Sequence, residues 1–289
     1  MKIVPGCALG FMLLMGCGHA PSFGPDERSP SVQLALIRAI QSHYIEVIDV
    51  SALLSLSVPE IMARLDRDSS LREVEPSSLD FIRGFEQEGS VSRLTMLSNK
   101  IGYLRIGFFG RRTVQDVRGA LEGLTAYRCP GLIIDLRDNP GGRMETAIEV
   151  AGLFLPKGVP PARYRGRGAE ERSYASTGSG RWTGPAMILI NRGTASSAEL
   201  FAGLLRYYHM ARLLGTPTAG KSTVQAAIPL DHRRLLLLTT GRYLFPNGST
   251  VAAAGLQPDV TEERDGELIA KAQSMLVEEG MTCEVQGAG

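Results

Sequence analysis

From about Ile101 onward the chain alternates short apolar runs with amphipathic stretches, and this pattern limits the fold more than any other feature. Apolar runs bounded by turn residues read as strands, and 3.6-residue periodicity between them reads as helices, so the segment predicts a mixed α/β core. The reading gives a strand over 101–106, then a helix beginning at Thr113 with Val114, Val117, Leu121 and Leu124 on one face. A buried strand over 131–136 contains Asp135, and a helix over about 143–155 follows. After a Gly/Arg-rich loop around 166–184 come a strand over 186–191 and a helix over about 197–208. The end is strand-rich, at 211–214, 224–230 and 234–240, before a last helix over 267–277.

The beginning differs in kind. Lys2 precedes an apolar stretch from Ile3 to Leu14, the length of a signal-peptide core and too short to span a bilayer. It ends in Leu14-Met15-Gly16-Cys17, which resembles the bacterial lipobox, in which cleavage before the cysteine leaves it to be acylated. The expectation is a lipoprotein signal peptide over 1–16, a lipid-bearing Cys17, a Pro/Gly/Ser-rich tether over 17–31 and export to the cell envelope. By resemblance to Gram-negative lipoproteins, Gly18 rather than Asp after that cysteine implies an outer-membrane lipoprotein facing the periplasm. Cys129 and Cys283 would remain where thiols can be oxidised, with one pairing open to them.

A helical N-terminal region over 32–95 precedes the core over 96–289, with Leu34, Ile37, Ile40, Tyr44, Val47 and Ile48 forming its first stripe. A second helix is expected between Leu53 and Leu65, with Pro59 near its start. Lys plus Arg number 31 against 30 for Asp plus Glu, which leaves no field to gather phosphate backbones, so nucleic acid is a poor partner. No cysteine has a CxxC or His-rich neighbourhood, and neither a metal site nor a cofactor is indicated.

Three Gly-containing segments follow strands. In Asp135-Leu136-Arg137-Asp138-Asn139-Pro140-Gly141-Gly142 the adjacent glycines allow a turn with exposed amides, as an oxyanion hole requires, although a plain strand-to-helix turn explains them too. In Gly193-Thr194-Ala195-Ser196-Ser197-Ala198-Glu199 a serine opens a helix, where the Ser197 amide can face a developing oxyanion. Ser196 and Glu199 also fit a capping box that needs no catalysis. The third, Gly215-Thr216-Pro217-Thr218-Ala219-Gly220-Lys221-Ser222, fits the phosphate-loop pattern GxxxxGK[ST]. A phosphate loop must lead into a helix, yet Thr223, Val224, Ile228 and Pro229 prefer a strand, so nucleotide binding is the weaker reading.

Together DLRDNPGG, GTASSAELFAGLLR, GTPTAGKSTVQ, TTGRYLFPNGS and GLQPDV resemble, in order and spacing, the signatures of the carboxyl-terminal processing (tail-specific) serine peptidases over roughly 101–275. The resemblance implies a mixed-sheet α/β core of the ClpP/crotonase-like type, with Ser196 as nucleophile, Lys221 as general base and Gln225 orienting the lysine. It places the oxyanion hole at the amides of Gly142 and Ser197. Thr194 and Ala198 stand where the family has serines, and Ser222 where it commonly has glycine. No histidine is needed. A lysine titrates near about 10.4 in water, so to accept the serine proton it must be desolvated or placed near positive charge. In a straight strand the four residues from Lys221 to Gln225 would span about 13 Å, so direct contact requires a bend.

Many relatives carry a PDZ domain of roughly 80 to 100 residues that captures the substrate's tail by strand addition. Only about thirty residues separate Ser69 from Ile101, too few to hold one. The expected partners are a polypeptide substrate, the membrane through the N-terminal lipid, and an adaptor lipoprotein in place of the missing module. A catalytically silent envelope scaffold of the same fold, or an acyl-transfer enzyme acting on a small ester or amide, would keep the same motifs.

Overall fold

A computed structural model describes residues 30–75, 90–160, 162–176, 178 and 180–286. The signal segment, Cys17 and most of the tether lie outside them. The chain forms two units, one of residues up to Pro76 with Gln225–Thr239, the other of Ser77–Val224 with Thr240 onward. The first unit therefore borrows a piece from within the stretch read as a single core.

In the first unit, α1 (Pro30–His43) and α2 (Val58–Met62) pack through Val32, Leu36, Ile37, Ile40, Tyr44, Leu53, Val58 and Ile61. The helical spacing of these residues places them on one face of each element. The second helix is shorter than the sequence suggests: Val50–Leu53 forms a 3₁₀ turn and Ser57, with Pro59 inside the first turn, starts α2 afresh. Strand β1 (Ser70–Glu73) pairs antiparallel with the first part of β10 (Arg234–Leu244), Ser70 opposite Leu237 and Glu73 opposite Arg234. Leu236 and Leu238 complete the apolar cluster. Strand β9 (Thr223–Pro229) precedes β10, and the Asp231 carboxylate closes the turn between them by accepting from the amides of Arg233 and Arg234.

The second unit is a six-stranded sheet of β2 (Val91–Met96), β3 (Gly102–Ile106), β4 (Leu132–Asp135), β7 (Ala186–Ile190), β8 (Arg212–Gly215) and β11 (Val260–Thr261). Its order is β11-β8-β7-β4-β3-β2, parallel except for the antiparallel edge β2. Alternate residues serve opposite faces. Leu132, Ile134, Ile188, Ile190 and Leu213 join the cluster that holds α3 (Thr113–Ala126), α4 (Met144–Gly152) and α5 (Ser197–Tyr207). Ile133, Met187, Leu189 and Leu214 join Leu268, Ala272 and Leu276 of α6 (Leu268–Gln286). Burial on both faces accounts for strands that read as unbroken apolar runs.

The 166–184 stretch, read as a loop, contains part of an antiparallel hairpin, β5 (Ala162–Gly166) with β6 (Glu171–Tyr174), and β5 pairs with the Gly241–Leu244 part of β10. The region read as helical up to 95 also contains β1 and most of β2, the latter belonging to the second unit. Cys129 is a free thiol, and burial pushes its thiol pKa up; the side chain of Cys283 lies outside the described residues. Among the described residues no helix is long and apolar enough to cross a membrane, and no His/Cys/Asp/Glu cluster could hold a metal.

Candidate active site

Three loops leave the carboxyl ends of the adjacent parallel strands β4, β7 and β8, where open α/β sheets place their ligand sites. They are the Asp138–Gly142 loop, the Asn191–Ser196 turn and the Thr216–Ser222 loop.

The turn after β7 is strained at its last residue. Ser196 has φ 55° and ψ −121°, outside every region that a residue with a Cβ ordinarily occupies. Such a conformation costs on the order of 1–3 kcal/mol and persists only where neighbours hold it. A serine on a strained turn from strand to helix is presented outward, as in nucleophile elbows. Ser196 is half-buried, and the helix it caps is buried nearly all round. Thr194, fully buried, secures the turn: its hydroxyl donates to the Leu136 carbonyl at 2.8 Å and its carbonyl accepts from the Ala219 amide at 3.0 Å.

The double glycine lies directly on that turn. A Cβ on Gly141 (φ 108°) would stand 2.9 Å from the Ser196 Cβ and 3.0 Å from the Ser197 nitrogen, and one on Gly142 (φ 131°) would stand 2.4 Å from the Phe109 carbonyl oxygen. Both close approach and positive φ therefore demand glycine. Phe109 takes the Gly141 carbonyl at 2.8 Å and the Arg143 amide at 2.8 Å, leaving the amide between them, that of Gly142, outside this bridge. Among the described residues neither the Gly142 nor the Ser197 amide donates a hydrogen bond within the chain. The Ser197 hydroxyl donates to the Gly142 carbonyl at 2.9 Å, which holds these two residues together. Asn139, fully buried, fixes the loop from below: its Oδ1 accepts from the Gly141 amide at 2.9 Å, its Nδ2 donates to the Ile106 carbonyl at 2.9 Å, and its carbonyl accepts from the Ala195 amide at 2.9 Å.

At the root of this loop Asp135, fully buried, accepts from the Tyr103 hydroxyl at 2.6 Å, from Arg137 Nη2 at 2.7 Å and from Arg137 Nε at 3.0 Å. Burial opposes its charge, but the hydrogen bonds from Arg137 and Tyr103 outweigh it and lower the pKa. Asp135, Arg137 and Asn139 hold the loop.

The lysine-bearing loop is tied to the serine turn by one carboxylate. Glu199, fully buried, accepts from the Ser196 amide and the Lys221 amide through Oε2, each at 2.8 Å. Its Oε1 accepts from the Gly220 amide at 2.8 Å and from the Thr218 hydroxyl. Burial nevertheless raises its pKa, the four hydrogen bonds working the other way. The capping box expected from Ser196 and Glu199 is present, but it accounts only for the Ser196 end of this carboxylate and not for its bonds to Thr218, Gly220 and Lys221. A glutamate inside the otherwise apolar AELFAGLL run was the available signal, because a charge on an all-buried helix must have partners.

The phosphate-loop reading of 215–222 fails on two counts. Strand β9, not a helix, follows Lys221, and the Gly220 and Lys221 amides that a phosphate would need are already bonded to Glu199. Lys221 is half-buried rather than fully enclosed, and it lies before β9, so the chain from Lys221 to Gln225 is not one straight strand. Gln225 belongs to the first unit, where its Nε2 donates to the Asp68 carbonyl.

A profile of peptidase family S41 matches residues 100–262, more than half of the chain. A carboxy-terminal-processing protease of Bartonella bacilliformis is 36% identical over 169 residues, covering 57% of this chain and 39% of that protein. The carboxy-terminal processing protease CtpA of Bacillus subtilis is 33% identical over 168 residues, covering 58% and 36%. The chain thus spans well under half the length of these two relatives. Among solved structures, a lipoprotein from Streptococcus agalactiae shares the fold at a TM-score of 0.65 with 17% identity, over 91% of this chain and all of that one. A chain from Parabacteroides merdae does so at 0.55 with 19% identity, over 88% and 95%. By the extent of that profile match, with all three loops inside it, the chain belongs to peptidase family S41.

Proposed function

We propose that this protein is a serine endopeptidase of the cell envelope that cleaves polypeptides near their carboxyl-terminal tails through an acyl-enzyme. Ser196 Oγ attacks the peptide carbonyl while Lys221 Nζ takes its proton. The carbonyl oxygen, now an oxyanion, is received by the amides of Gly142 and Ser197. Lys221 returns the proton to the leaving amine, the C–N bond breaks, and water, activated by the same lysine, releases the acyl group from Ser196. The observation that carries this reading is the strained Ser196 turn with the Gly141-Gly142 pair packed on it and two amides free to receive an oxyanion. A lipid on Cys17 would anchor the enzyme at the outer membrane facing the periplasm, and an adaptor lipoprotein would deliver tails in place of a PDZ domain.

The test is digestion of an unstructured polypeptide with an apolar carboxyl terminus by residues 18–289, beside Ser196→Ala, Lys221→Ala and Gln225→Ala, with fragments read by mass spectrometry. Cleavage near the tail, abolished in the first two variants and weakened in the third, is expected. Cleavage that survives Ser196→Ala refutes the nucleophile. No cleavage by any chain favours the silent scaffold instead.

A further inference from the structure

Tyr243 lies on β10 in the TTGRYLFPNGS segment, which no step above uses. Its side chain is 1% exposed, and its ring packs edge-on against Phe245 at 6.1 Å between centroids. The hydroxyl lies 3.3 Å from the carbonyl oxygen of Ser196 and 3.2 Å from that of Lys221, and its single proton is shared between them in a three-centre bond. Its own strand is fixed beside the lysine loop, the Tyr243 amide donating to the Ser222 carbonyl at 3.2 Å.

Two buried side chains therefore hold the two residues at both ends. Glu199 accepts from the N–H of Ser196 and from the N–H of Lys221, and Tyr243 donates to the C=O of each. The peptide group before each residue is bonded to the carboxylate and the peptide group after it to the phenol. A backbone in the conformation of Ser196 relaxes unless the groups on both sides of its Cα are held. Glu199 constrains the group before it, and the Ser196 carbonyl also accepts from the Leu200 amide at 3.0 Å in the first turn of α5, so the particular contribution of the phenol is to tie that carbonyl to the one of Lys221.

We infer that Tyr243 is a positioning residue for the Ser/Lys pair, fixing through their carbonyls the strained serine and the lysine relative to one another. The inference rests on the Ser196/Lys221 reading given above. The phenol must keep its proton to serve as a donor, and burial, with the Glu199 carboxylate nearby, raises its pKa well above the ordinary value. The substrate is not touched; the hydroxyl acts through the backbone.

Tyr243→Phe removes the hydroxyl and leaves the ring packing in place. A misplacement of reacting groups by about 1 Å costs on the order of 100-fold in rate, so kcat is expected to fall about ten- to a hundredfold with KM within twofold of the parent. The acidic limb of the kcat/KM profile is expected to move to higher pH, because a lysine less firmly held is better hydrated and harder to deprotonate. A merely structural tyrosine would lower the melting temperature and leave that limb in place. Parent-like kcat, or lost activity with the limb unmoved, overturns the inference. Ser196→Ala in the same series separates the two ideas: if it still cleaves, the dyad reading has failed, whereas if it is dead and Tyr243→Phe matches the parent, only the tyrosine's role has failed. A crystal structure of Tyr243→Phe gives a readout besides activity, with the Lys221 carbonyl expected to shift away from that of Ser196; an unmoved lysine loop also counts against the inference.

Discussion

Replacing Glu199 by glutamine tests whether one carboxylate really ties the serine turn to the lysine loop. The parent side chain accepts from four donors, three backbone amides and the Thr218 hydroxyl. Glutamine has one oxygen to offer and must turn its NH₂ toward two of those donors. Its less costly orientation keeps the oxygen on Ser196 and Lys221 and turns the NH₂ toward Thr218, whose oxygen already accepts from Leu256, and toward the Gly220 amide. One buried amide is then orphaned, costing about 1–3 kcal/mol, and the two retained bonds lose their charge assistance, about 1 kcal/mol each. The raised pKa means that the parent already bears a desolvation cost that the amide avoids, so the net loss should be about 2 kcal/mol. Stability from urea unfolding and the rate at which the proposed nucleophile Ser196 is phosphonylated by a fluorophosphonate probe, with loss of fluoride, measure the two consequences. The sign of the pH dependence follows from the raised pKa. The carboxyl's contribution is full below the ordinary 4.5 and declines as pH rises through the raised value, so the gap between parent and variant narrows toward neutrality. A variant within about 0.5 kcal/mol of the parent that reacts with the probe at the parental rate would refute the clamp.

Asp135→Asn leaves Arg137 without its buried counter-charge and should destabilise the protein by about 3 kcal/mol in chemical denaturation; a loss below about 1 kcal/mol would mean that the ion pair is dispensable. Gly142→Ala forces a Cβ against the Phe109 carbonyl at φ 131°, so if its amide is the oxyanion donor proposed above kcat should drop about 100-fold or more, and a drop of less than about threefold would remove Gly142 from the site. The Glu262 carboxylate, hydrogen-bonded by the Arg264 amide and guanidinium and by Lys271, has its pKa lowered to about 2. It stabilises the fold above the ordinary 4.5 and loses this as pH falls toward about 2, and a carboxyl resonance titrating near 4.5 by NMR would contradict the arrangement.

The central strands were legible because burial on both faces leaves no polar residue inside them, as in the LII that precedes Asp135 in β4 and the AMILI of β7. The β5/β6 hairpin was not, since its cross-strand pairs are ionic, with Arg163 and Arg165 on Glu171, and its sequence reads as a charged loop. Edge strand β2 was hidden similarly: Leu94 and Met96 are exposed, and Arg93 stacks over Tyr103 of the neighbouring strand. In the site, motif order located the three loops, and Gly141 and Gly142 declared their backbone needs through residue type alone. Tyr243 could not be found that way, because its contact with Ser196 spans 47 residues and depends on how β10 lies against the turn.

The discontinuity of the first unit has a consequence for biosynthesis. The Thr239 amide donates to the Ser69 hydroxyl 170 residues earlier, and Leu236 and Leu238 close the apolar cluster begun by α1. Translation at about 5–20 residues per second would separate the emergence of these partners by roughly 10–30 s. Throughout that interval the apolar stripe of α1 lacks the strand that covers it, a natural target for a holding chaperone. The amino-terminal segment is thus made first and completed late, and a chain truncated after Val224 would leave it without the leucines that finish its core.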